Sequence, residues 1–167
     1  VDALLKVEEE GYENEAIDVL KKAHAESEAY RFKMRMDDIR IRQMRRRVNA
    51  LRSSGDRQAA RQAMRQLLAF ELQAYTERAA NYPTDLSIKF ELGRRQLLAG
   101  KIDDAIASLQ QAQRDPKRRL TAMTLLGNAF AKKGWHREAV ETYRRALDLE
   151  PTEERAKELH YSLATSL

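Results

Sequence analysis

The sequence predicts an all-α fold, a row of stacked antiparallel helix hairpins, on three observations. The chain repeats itself at a fixed interval: Leu92, Gly93, Gly100, Ala105 and Ala112 recur 34 residues later as Leu126, Gly127, Gly134, Ala139 and Ala146. Within the second copy, apolar residues return at three and four, as Met123, Leu126 and Phe130 and then as Val140, Tyr143 and Leu147, so each helix carries one apolar stripe. The composition agrees: three prolines, six glycines, 34% charged and 7% aromatic residues among 167 suit an all-helical protein better than a sheet protein. One hairpin cannot bury two stripes by itself, so such units stack and share a continuous core.

In chain order, residues 1–29 read as a partial hairpin. Gly11 falls at the turn, Asn14 caps the second helix, and Ala16, Leu20 and Ala23 take the places of Ala105, Leu109 and Ala112, with Ile17 also turned to the core. From Tyr30 to Met36, YRFKMRM alternates apolar and basic residues, a period of two that argues for extended backbone. Neither glycine nor proline interrupts Asn14 to Ser53, so one long helix is the competing expectation. Asp37 and Asp38 suit a helix start, where carboxylates meet orphan N–H groups.

Residues 30–85 read as an elongated, degenerate hairpin in the N-terminal half. Ile41, Met44, Val48 and Leu51 form a stripe flanked by arginines, Ser53 to Gly55 close the first helix, and Ala60, Met64 and Leu67 begin the second. Arg47 and Val48 stand where a Leu-Gly pair is expected, which weighs against close packing. The helix after Gly55 runs to about Asn81, longer than the other repeat helices. Met64, Leu67, Leu68, Glu71, Leu72, Tyr75 and Arg78 share its inner face, where a buried Glu71 or Arg78 needs a partner. Residues 86–119 and 120–153 are the two clear repeats, with second helices expected from Asp103 and Arg137. Thr152 then caps a final helix over 154–167, with Leu159, Leu163 and Leu167 alongside Tyr161, expected to be a terminal capping helix or, if the native chain continues, the first helix of another repeat.

Leu-Gly in a first helix, two alanines in a second, Phe130 and Tyr143 as aromatics and Pro151 as the closing residue resemble the tetratricopeptide repeat. The resemblance is strong from Leu86 to Pro151 and looser elsewhere. It implies an α-solenoid whose first helices line a concave groove for a peptide or protein segment. By slot, the groove residues are Phe90, Glu91, Arg94, Leu97 and Leu98, then Thr124, Leu125, Asn128, Ala131 and Lys132, then Arg155, Glu158 and Ser162. Asn128 matches a common family asparagine that holds peptide backbone. Arg94, Lys132 and Arg155 together favour an acidic ligand. Phe90 stands where the family's chaperone-tail receptors carry a clamp lysine, which speaks against that activity.

No catalytic constellation emerges, so no enzyme activity, cofactor or metal is expected. Cysteine is absent, His24, His136 and His160 lie far apart, and His24 with Glu28 is a single i, i+4 pair. Gly93 and Gly100 lack the Lys-Ser or Lys-Thr of a phosphate loop, and Ser53 and Ser54 read as loop caps. The net charge of +5 is uneven, with 12 basic and three acidic residues between 31 and 66. The expected function is a non-catalytic scaffold for protein association. The alternatives are nucleic-acid binding through Arg40, Arg42, Arg45, Arg46, Arg47 and Arg52, or an accessory module of a larger enzyme. No apolar run approaches the ~18 residues of a membrane span. The chain begins at Val1 rather than Met and shows no signal peptide, so a fragment whose targeting sequence, if any, was removed is expected, and the expected location is cytoplasmic.

Overall fold

Helices make up most of the described residues, 10–149, 164 and 165, in a computed structural model. Among them are seven helices and no strand: α1 (Glu10–Ser27), α2 (Tyr30–Ser53), α3 (Arg57–Asn81), α4 (Leu86–Leu98), α5 (Ile102–Ala112), α6 (Arg119–Lys133) and α7 (His136–Leu147). The remainder of a first helix before Glu10, the cap at Thr152, Leu159, Tyr161, Leu163 and Leu167 of the 154–167 helix, and Arg155, Glu158, His160 and Ser162 lie outside the described residues. The chain divides into two compact units, Val1–Ala74 and Tyr75–Leu167.

In the first unit the structure corrects several expectations. Gly11 lies inside α1, not at a turn, and Asn14 is likewise helical, its side-chain oxygen accepting a hydrogen bond from Gln43 Nε2 at 3.1 Å. Residues 30–36 are helical, not extended, yet Asn14 to Ser53 is not one helix either. The break falls at Glu28, which takes φ +53 without being glycine. Its backbone N–H still reaches the His24 carbonyl at 2.8 Å, and His24 Nδ1 lies 3.2 Å from the Ala29 carbonyl oxygen, so the turn is fixed by local polar contacts. Ala29 then enters α2 in extended conformation. The alternation of YRFKMRM misled because its basic residues need not point the same way as solvent does on a helix. Met36 is buried while Phe32, Lys33 and Met34 are half-buried.

α1 and α2 pair antiparallel across Ala16, Ile17, Leu20, Met36 and Ile39, with Phe32 against them. Buried Glu13 faces Arg46 of α2, whose two terminal nitrogens each donate to a different carboxylate oxygen, a fork-to-fork pair. That hydrogen bonding holds the Glu13 carboxyl below the ordinary carboxylate range, against the opposing effect of burial. Asp37, expected at a helix start, is instead interior to α2 and buried, with Lys33 Nζ 3.3 Å away. After the turn at Gly55 (φ +80), Asp56 Oδ1 accepts from Ala59 N at 2.9 Å and caps α3. α2 and α3 lack the extended close approach that α4 and α5 make, as Arg47 and Val48 in the Leu-Gly place foretell. Arg45 of α2 reaches Glu71 of α3, with Nε at 3.2 Å from Oε1.

In the second unit α4, α5, α6 and α7 pack each on the next. Asp85 starts α4 by accepting from Ser87 N at 2.8 Å and Ile88 N at 3.2 Å, and its hydrogen bond from Ser87 foremost keeps its carboxyl below the usual range. Gly100 (φ +75) and Gly134 (φ +80) close the first helices alike: Lys101 N bonds the Gln96 carbonyl and Trp135 N the Phe130 carbonyl, both at 2.9 Å. The second helices begin at Ile102 and His136, one residue earlier than expected. Ala105, Ala112, Ala139 and Ala146 are fully buried with Leu109, Leu126, Met123 and Tyr143 in one core.

The packing glycines decide how close these helices come. A Cβ on Gly93 would sit 2.8 Å from Leu109 Cγ, and one on Gly127 would run into the Tyr143 ring, 2.8 Å from Cδ1 and nearer still to Cε1. We expect Gly127→Ala to lower stability by about 1–3 kcal/mol, overpacking outweighing the ~1 kcal/mol gain in helix propensity. Gly93→Ala should cost less, since an aliphatic side chain yields more easily than a ring. The urea midpoint, at unchanged denaturant slope, is the measure. The Glu13–Arg46 pair has a pH signature. With the folded value below the ordinary 4.5, its contribution is present above pH 4.5 and is lost as pH falls through the folded value. Glu13→Gln is expected to cost about 1–2 kcal/mol at neutral pH and to flatten the acid limb of a stability–pH curve.

Candidate functional site

Equivalent places on α4 and α6 lie 34 residues apart, so the predicted groove residues form pairs: Phe90 with Thr124, Glu91 with Leu125, Arg94 with Asn128 and Leu98 with Lys132. The structure treats them unequally. Phe90 is buried in the core, with the Arg118 guanidinium 5.7 Å from its ring centroid. Leu97 is buried beside it, while Leu125 and Ala131 are half-buried against the same core. Thr124 Oγ1 donates to the Leu120 carbonyl at 3.0 Å, a contact within its own helix. Arg94, Leu98 and Lys132 are exposed, and Leu98 at 66% is the most exposed large hydrophobic side chain among the described residues.

Asn128 links this face to the core. Its Oδ1 accepts from the Tyr143 hydroxyl at 2.5 Å, which leaves the Nδ2 end for a ligand. Tyr143 is nearly inaccessible to solvent, and burial pushes its phenol above its usual pKa, so it donates this bond as the neutral form. Glu91 is turned inward electrostatically: Arg95 Nη1 donates to its backbone carbonyl at 2.9 Å and also to its carboxylate, and Arg94 Nη1 lies 3.9 Å from the same carboxylate.

Sequence reasoning placed Tyr75 and Arg78 on an inner face but missed Arg95. Both guanidiniums lie over the Tyr75 ring, Arg95 at 3.9 Å and Arg78 at 4.7 Å from its centroid, and both arginines are buried. Gln96, beside them in sequence, is also buried, and its Oε1 has no hydrogen-bond partner among the described residues. Phe130 and Trp135 stack with centroids 5.9 Å apart, and Lys133 Nζ sits 3.9 Å from the Trp135 ring centroid while pairing with Asp103.

The six arginines grouped on α2 do not share one surface. At about 100° per residue, Arg40 and Arg47 fall on one side of the helix and Arg42 and Arg46 on another. Arg45 and Arg46 are engaged with Glu71 and Glu13, whereas Arg40, Arg42, Arg47 and Arg52 are exposed. A more concentrated cationic face lies next door. Arg52, Arg57, Arg61 and Arg65 border a pocket of about 450 Å³ floored by Ala60 and Met64. The signal for it was the period of four in RQAARQAMRQ, which sets three arginines on one side of α3. Among the described residues no cluster of three or more His, Asp or Glu side chains is placed to hold a metal, and no helix is long and apolar enough to cross a membrane.

Comparison with known proteins bears on the second unit first. Residues 120–153 match the family described as tetratricopeptide repeat. No curated protein matches the chain. Among solved structures it is similar to one titled "Crystal structure of MamA protein", with a TM-score of 0.57 and 18% identity over 92% of this chain and 80% of that one. At that identity the likeness speaks for the fold. Residues 120–153 thus carry a tetratricopeptide repeat, with small residues buried at its helix crossing, and the chain shares an all-helical fold with that solved structure.

Proposed function

We propose that this chain is a non-catalytic scaffold that holds an extended, acidic peptide or protein segment along α4 and α6. The repeat and the fold support a protein–protein interaction role in general, and folds of this type generally lack catalysis of their own. The finer reading is carried by one observation: Leu98 stands exposed on a helix that buries seven of its 13 residues, and exposed Arg94 lies one turn before it. A partner side chain covering Leu98 would gain about 1.5–3 kcal/mol from apolar burial. Arg94 and Lys132 select carboxylates, and Asn128 Nδ2 offers a donor to a backbone carbonyl.

Rigid presentation is the mechanism. Helices locked by Gly93, Gly127 and the Tyr143–Asn128 bond hold these groups in place before a ligand arrives, so little ordering entropy is lost on binding. The test is selection from a random peptide library on the full chain, followed by fluorescence anisotropy of the enriched peptides. Arg94→Ala with Lys132→Ala is expected to weaken them about tenfold, and Leu98→Ala about tenfold, with far-UV circular dichroism unchanged. Enriched peptides indifferent to all three substitutions would count against this face.

A further inference from the structure

We infer a second binding surface, independent of the α4–α6 face, on the first half of α3: Arg52, Arg57, Arg61 and Arg65 around Ala60 and Met64 dock an acidic amphipathic helix. Arg57, Arg61 and Arg65 follow one another at intervals of four, a rise of about 6 Å per step along one side of the helix. All four arginines are exposed, and among the described residues none of their side chains makes a hydrogen bond or an ion pair. Their neighbours differ: Arg45 and Arg46 are committed to Glu71 and Glu13.

Fold stability does not account for this cationic row. The first turn of α3 contains no acidic residue and begins with Arg57, at the end of the helix where the macrodipole disfavours positive charge. The one carboxylate within residues 52–65, Asp56, accepts the Ala59 N–H as a helix cap. Four guanidiniums held near one another without counter-charge raise the energy of the free chain, and an anionic partner relieves it.

The floor of the surface narrows the partner's chemistry. Ala60 is buried and Met64 half-buried between the arginines, so the pocket of about 450 Å³ has an apolar base under a charged rim. A helix carrying Glu or Asp at i, i+4 and i+8 repeats the ~6 Å step of the arginines, and each carboxylate matches a guanidinium fork. Leucine or methionine between its acids would then seat on Met64, a side chain that adapts to varied apolar shapes. Single-stranded nucleic acid fits less well, because residues 52–65 contain no aromatic side chain on which bases could stack.

The experiment is fluorescence anisotropy of the full chain with a labelled, helix-forming peptide that has Glu at every fourth position and Leu beside each Glu. Its comparators are the same peptide with Gln for Glu, oligouridine RNA of similar length and a short DNA duplex. The Glu peptide is expected to bind about tenfold or more tighter than the Gln peptide and tighter than either nucleic acid. R57Q/R61Q/R65Q should weaken it about 30-fold, while R40Q/R42Q/R47Q, which removes the same net charge from α2, should change it less than about threefold. Leu98→Ala should leave it unchanged, which separates this surface from the α4–α6 face. Should the triple variant lose helicity, Arg61→Gln alone is read in the same assay, with a loss of about threefold expected. Equal loss in the two triple variants, an indifferent Gln peptide, or tighter binding of RNA or DNA would overturn the assignment.

Discussion

The contact on which the rest of the second unit depends is the crossing of α6 and α7 at Gly127, where the Tyr143 ring occupies the space a side chain would fill. Everything nearby is set by that approach. It brings the Tyr143 hydroxyl to Asn128, buries Ala139 and Ala146 completely, and positions Leu126 and Met123 in the shared core. Gly93 does the same against Leu109 for α4 and α5, so one geometric device appears twice at an interval of 34 residues. Its repetition is what allows successive hairpins to stack.

The first unit is held differently. Where α2 carries Arg47 and Val48 in the Leu-Gly place, long side chains bridge the helices: Arg46 to buried Glu13, and Arg45 to buried Glu71. Such pairs offset the cost of burying a carboxylate and fix register, because a slip of one turn would leave a buried charge unmatched. This division of labour also explains the charge pattern. Part of the basic stretch is structural and faces carboxylates, and part of it, on α2 and on the first half of α3, remains at the surface.

The two candidate surfaces follow from these two modes of assembly. On α4 and α6 the small residues face the neighbouring helices, so Leu98, Arg94 and Lys132 stay outside on a rigid support. On α3 the buried positions Ala60, Ala63 and Leu67 are small or compact, and the arginines between them form the exposed side. The groove residues carried over by repeat position divide accordingly. Phe90 and Leu97 belong to the core, while Asn128 is half-committed through one end of its amide.

The sequence by itself determined the helical class, the 34-residue period, the turn glycines at 55, 100 and 134 and the extent of α3 to Asn81, because glycine spacing and apolar period are local properties of the chain. It could not locate the break at Glu28, since a non-glycine residue adopts the left-handed conformation there only with help from His24 and from the packing of α1 on α2. Nor could it say which arginines are bound and which free. That choice rests on Glu13 and Glu71 arriving opposite Arg46 and Arg45 from 33 and 26 residues away, and only tertiary structure brings such charges together.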